Sequence, residues 1–100
     1  MTAYTIDVPG DEDVELDVND TLTIDFVEDC RFCSPDSAST YFSPALPNGD
    51  HTKDTSWTGT AQTAGDDKTV EHHSVAKAAD CESSRKRSPT RSIQIGGNMG

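Results

Sequence analysis

Three cysteines and three histidines carry most of the reactive potential of this 100-residue chain. Cys30-Arg31-Phe32-Cys33 sets two thiols two residues apart, a spacing that can hold one edge of a metal ion or close a redox disulfide. Adding Cys81 and either His72 or His73 would complete a Cys₃His donor set for one zinc or copper ion. A thioredoxin-type role needs the pair at a helix N-terminus, where the dipole and free N–H groups depress the thiol pKa. Here Ser34-Pro35-Asp36 follows, which reads as a turn. A structural disulfide from Cys81 to Cys30 or Cys33 is the third use. It would tie the middle of the chain to the loop before the last strand, stabilise by about 2–4 kcal/mol in an oxidising compartment and leave one odd thiol. Three free, partly buried thiols are the remaining arrangement.

His72-His73 places adjacent imidazoles on opposite faces of a strand, so one ring points inward, expected to be hydrogen-bonded beside Trp57. His51 follows Asn48-Gly49-Asp50 and is expected in solvent. The acidic run from Asp11 to Asp20 lacks the central Gly and terminal Glu of a calcium loop and reads as a charged turn and a solvated sheet face. There is no Gly-x-Ser-x-Gly turn and no phosphate-cradling glycine loop, so nothing argues positively for an enzyme. Ser88-Pro89 beside Arg85-Lys86-Arg87 reads as a polar loop rather than a phosphorylation switch.

The elements that must position these residues are strands. Ile6 and Val8, then Val14, Leu16 and Val18, then Leu22, Ile24 and Phe26 alternate with Asp, Glu and Thr, the period-two pattern of half-buried sheet. From Glu28 to Ser56 the pattern breaks around Pro35, Pro44, Pro47 and Asn48-Gly49, with a short strand or helical turn expected near Thr40-Tyr41-Phe42 and a turn at Asn48-Gly49. Alternation returns at Ser56–Ala61, with Trp57 and Ala61 on one side, and Gly65-Asp66-Asp67 reads as the next turn. In Thr69–Ala76 the differing parity of Val70 and Val75 implies a bulge at His72-His73 or burial on both faces. Ile93 and Ile95 close the fold. Residues 1–95 thus read as one domain of six or seven antiparallel strands, followed by a loose tail at 96–100.

A net charge of −10 excludes the usual nucleic-acid footprint, and no stretch approaches the length of a membrane span. The cations Arg85, Lys86, Arg87 and Arg91 are expected to lie beside the acidic first strands. Met1 runs almost directly into the first strand without a basic and apolar leader, which points to the cytoplasm, or to a secreted chain already processed.

The order of elements resembles the cupredoxin-like layout: a short first strand, a hairpin-like pair ending in Asp20-Thr21-Leu22-Thr23-Ile24-Asp25-Phe26, a long irregular middle, a Trp strand, a strand before a Cys and a final Ile-x-Ile strand. Val18-Asn19-Asp20-Thr21-Leu22 stands where that family typically carries a Gly-Asp-Thr-Val turn. The resemblance implies an all-β, Greek-key β-sandwich, a description that an immunoglobulin-like sandwich also meets. Blue-copper members follow their Cys with a His and usually a Met. Here Cys81 is followed by Glu82, Ser83, Ser84 and Arg85, and the only later Met is Met99, so the copper function does not carry over. The reading is therefore a non-catalytic binding or structural module for an unknown protein or small ligand, with Phe32, Tyr41, Phe42, Leu46 and Trp57 as its expected interaction surface. Its alternative is a metal-binding protein using Cys30, Cys33, Cys81 and one of His72 or His73.

The excess of carboxylates also suits a protein kept soluble at high salt. Unfolding midpoints should therefore rise along a salt series as self-repulsion is screened; midpoints indifferent to salt would count against that reading.

Overall fold

A computed structural model of the chain describes residues 2–10, 12–62, 68–84 and 90–96. The alternating runs become β1 (Ala3–Val8), β2 (Val14–Asp17) and β3 (Thr21–Phe26), with Ile6, Val8, Val14, Leu16, Leu22, Ile24 and Phe26 all buried. The irregular middle supplies β4 (Cys30–Cys33), a 3₁₀ turn (Asp36–Tyr41), β5 (Phe42–Ser43) and β6 (Gly49–His51). β7 (Thr55–Ala61), β8 (Lys68–Val75), the single helical turn α1 (Cys81–Ser84) and β9 (Arg91–Gly96) complete the described elements. The expected turn at 65–67, the basic run 85–87, Ser88-Pro89 and the tail 97–100 lie outside the described residues.

The strands form two sheets, β1-β3-β7-β5 and β2-β9-β8-β4-β6. Their buried side chains belong to one cluster, to which the first sheet contributes Leu22, Ile24 and Phe26 and the second Leu16, Val70, Ile93 and Ile95. Two expectations are corrected here. The described strands number nine rather than six or seven, because the Pro-rich middle holds short strands that no alternation marks. The sheets are also mixed: β1 runs parallel to β3 and β2 parallel to β9. β2 and β3 do not form a hairpin, since consecutive strands that cross from one sheet to the other must pair with strands distant in sequence.

That crossing is built around Asp20. Its side chain is buried, and the two carboxylate oxygens accept hydrogen bonds from Thr2 N at 2.8 Å and from Asp17 N at 2.9 Å. Asn19 takes a left-handed φ of 79°, a conformation Asn tolerates better than most side chains. The turn is tied to the end of β7 by Asn19 N to Ala61 O at 2.8 Å and Ala61 N to Asp20 O at 2.9 Å. The Asp17 and Thr2 amides hold the Asp20 carboxyl below its ordinary range.

β8 changes partner along its length. Lys68–His72 pair with β9 and His73–Val75 pair with β4, each in unbroken register. The parity of Val70 and Val75 therefore reflects burial on both faces and not a bulge. On β7, Gly59 lies under the Trp57 ring, which a β-carbon at that position would overlap. Trp57 packs edge-on against Phe42, with centroids 5.5 Å apart, and its Nε1–H donates to Ala45 O at 3.1 Å.

Asp20→Ala strands two amides and should lower the unfolding free energy by about 2–4 kcal/mol in urea titrations, with Asp20→Asn falling between it and the parent. Because the folded pKa is depressed, the parent's advantage over Asp20→Ala should be full above the carboxyl's ordinary value of 3.8 and shrink as the pH falls below it.

Candidate functional site

Strand parity sorts the two cysteines of the Cys-x-x-Cys pair onto opposite faces of β4. Cys30 and Phe32 enter the core, whereas Cys33 faces outward and is bonded to Cys81 in a disulfide with a Cα–Cα distance of 5.9 Å. The bridge joins residues 48 apart in sequence. It holds the segment between β8 and α1 against the outer face of the five-stranded sheet, and two more tethers share the work. Arg31 Nη1 donates to Ala79 O at 3.1 Å while its Nε donates to Asp50 Oδ1 across the β4–β6 pair at 2.9 Å. His73 Nε2 lies 3.2 Å from Cys81 O; a carbonyl has no proton to give, so Nε2 carries the hydrogen.

Beside the disulfide opens a cleft of about 340 Å³, lined by Ser34, Pro35, Thr69, Glu71, His73 and Glu82 together with the two bridged cysteines. Its walls combine an imidazole, carboxylates, hydroxyls and the sulfur bridge. Asp80 Oδ1 accepts from Glu82 N at 3.0 Å, which fixes the start of α1 at one rim.

The remaining expected site residues disperse. Cys30, the unbridged thiol, is 2% exposed, and burial together with the nearby Glu28 and Asp29 carboxylates pushes its pKa up, so the reactive thiolate is suppressed. His72 turns inward and His73 outward. Among the described residues no three His, Cys, Asp or Glu side chains stand together as a metal-holding group, so the set of Cys30, Cys33, Cys81 and one His is not assembled.

The expected interaction surface is corrected as well. Phe32, Phe42 and Leu46 are buried in the core, and Tyr41 and Trp57 pack against it from its edge. The alternating strands alone do not fill the space between two sheets, and these side chains complete it.

Neither inward histidine behaves as the sequence suggested. His72 stacks on Phe32 with centroids 4.9 Å apart, far from the Phe42–Trp57 pair in both contact and sheet. His51 is not a solvated loop residue: it lies on β6 and stacks face to face on Phe26 at 3.8 Å, and burial lowers its pKa. Parity with Val70 marks His72 as inward; nothing in the local sequence marks His51. Neither a protein-family model nor a curated protein matches the chain.

Intact mass without reductant should be two hydrogens below the reduced value, with no iodoacetamide uptake by the native protein, one label after denaturation and three after reduction. Cys33→Ser and Cys81→Ser should each lower the unfolding free energy by about 2–4 kcal/mol, whereas equal stability with and without the bridge would remove its structural role.

Proposed function

We propose that the chain is a non-catalytic binding module, a cupredoxin-like β-sandwich without copper ligands, that recognises its partner or small ligand at the cleft beside the Cys33–Cys81 disulfide. The observation that carries this reading is the bridge itself. It holds two of the three thiols as a disulfide, where they are not thiolate ligands, and gives the cleft a covalently fixed wall, as recognition on a rigid sheet requires. The mixed two-sheet order, with the second strand paired to the last, supports the cupredoxin-like arrangement. Two of the histidines stack on phenylalanines and the third donates to a backbone carbonyl, which gives all three a place in the packing of the module. A disulfide of this kind also favours an oxidising compartment over the cytoplasm.

A metal-binding reading keeps one specific support, since Cys33, Cys81 and His73 all border the same cleft. Reduction would return two thiols beside that imidazole. Native mass spectrometry separates the two. Protein incubated with zinc or copper should retain neither ion while oxidised, and its amide shifts in a fragment screen should cluster at Ser34, Thr69, His73 and Glu82. Stoichiometric metal in the oxidised protein, or shifts confined to other surfaces, would overturn the proposal.

A further inference from the structure

His72 occupies an unusual place in the five-stranded sheet. It is the last residue of β8 paired with β9, opposite Arg91, and its neighbour His73 is the first paired with β4, opposite Cys33. The β2–β9 and β4–β6 halves of the sheet are joined through β8 at this seam. On the inner face the His72 ring reaches across the seam to stack on Phe32 of β4. His72 is 3% exposed, and among the described residues neither Nδ1 nor Nε2 has a hydrogen-bond partner. Beside it lies a cleft of about 380 Å³, walled by Val8, Pro9, Gly10, Ser74 and Arg91 and closed on one side by the hydrogen bond from Arg91 Nε to Gly10 O at 3.1 Å.

From this geometry we infer that His72 is an acid-sensitive latch, whose protonation drives the ring out through the Val8–Gly10 cleft and parts the β9 half of the sheet from the β4 half. A neutral, unpartnered imidazole is tolerable between apolar walls; an imidazolium with no acceptor is not. The open seam gives the charged ring water, so the open state binds the proton more tightly than the closed one. Burial is the main influence keeping the closed ring neutral and holds its pKa at about 4. Among the described residues, Asp13 before β2 favours protonation, whereas His73 on β8 and Arg91 on β9 oppose it. β4 presents the uncharged Phe32, the end of β1 presents Val8 and the turn after it Pro9. Asp13 is held on the backbone of β9, its Oδ1 accepting from Ser92 N at 2.9 Å.

Stability associated with the closed latch is present above the ring's ordinary pKa of 6.5 and is lost as the pH falls from there towards 4. Between pH 7.5 and pH 5 the open population should grow about thirtyfold. Native-state hydrogen exchange, corrected for the intrinsic rate at each pH, reads this directly. Protection at Glu71–Ser74 and Ser92–Ile93 should fall by about that factor, while the β3–β7 amides keep theirs. His72→Phe, which preserves an aromatic ring against Phe32, should abolish the fall, and His51→Phe should leave it intact. Should His72→Phe not fold, the His72 Cε1–H resonance of the parent decides the matter by whether it resists titration down to about pH 5. A uniform loss across both sheets, an undiminished fall in His72→Phe, or a His72 resonance titrating at its ordinary value with protection unchanged would each overturn the latch.

Discussion

The crossing from β2 to β3 is the constraint from which the pairing of the other strands follows. Once Leu16 has been placed in one sheet and Leu22 in the other, β3 can align parallel with β1 and β2 parallel with β9, and both long-range pairings are what the structure shows. A three-residue link between sheets leaves backbone donors without a ladder partner. Asp20 accepts from the Thr2 and Asp17 amides on either side of the link with one buried carboxylate, and its own carbonyl and the Asn19 amide engage Ala61 on β7. One short turn therefore binds the entry to β1, the end of β2 and the end of β7. No hydrophobic contact of the same size would hold three backbone segments in a defined register.

The period of two says which face a side chain occupies and nothing about which strand lies alongside. Ile6, Leu16, Ile24 and Ile93 were legible as inward residues for the first reason, and the mixed sheets were not legible for the second. The Pro-rich middle hid β4 and β6 because strands of three or four residues are too short for alternation to stand out, whereas the short strand or helical turn expected near Thr40-Tyr41-Phe42 is present as the 3₁₀ turn and β5. A disulfide to Cys81 could be named from composition and spacing, and the choice of Cys33 over Cys30 follows from parity once Phe32 is placed in the core. The stacking of His51 on Phe26 is a tertiary event between β6 and β3, strands in different sheets, and polar neighbours such as Asp50 and Thr52 disguise it.

The two faces of the five-stranded sheet are secured by different physics. On the outer face the segment over β4 is held by a covalent bridge, a cation shared between Asp50 and Ala79 O, and a histidine–carbonyl hydrogen bond. Each of those tethers is directional, and the bridge is insensitive to pH across the neutral range. On the inner face the same stretch of β8 relies on burial, with His72 lying on Phe32 and neither ring nitrogen engaged by any described residue. Burial is strong for a neutral ring and reverses for a charged one.

Adjacent residues on one strand thus divide two tasks according to the direction each side chain faces. His73 has a carbonyl to donate to and contributes to the wall of the outer cleft; His72 has no hydrogen-bond partner among the described residues and leaves the seam dependent on its remaining neutral. At the inward position an apolar side chain would bring no polar atoms to satisfy, whereas an apolar residue in place of His73 would lose the hydrogen bond to Cys81 O. In the closed form the neutral imidazole contributes its stacking on Phe32, and its second protonation state is the one that burial opposes. That asymmetry sets His72 apart from His73, whose Nε2–H has the Cys81 carbonyl as acceptor one residue later on the opposite face.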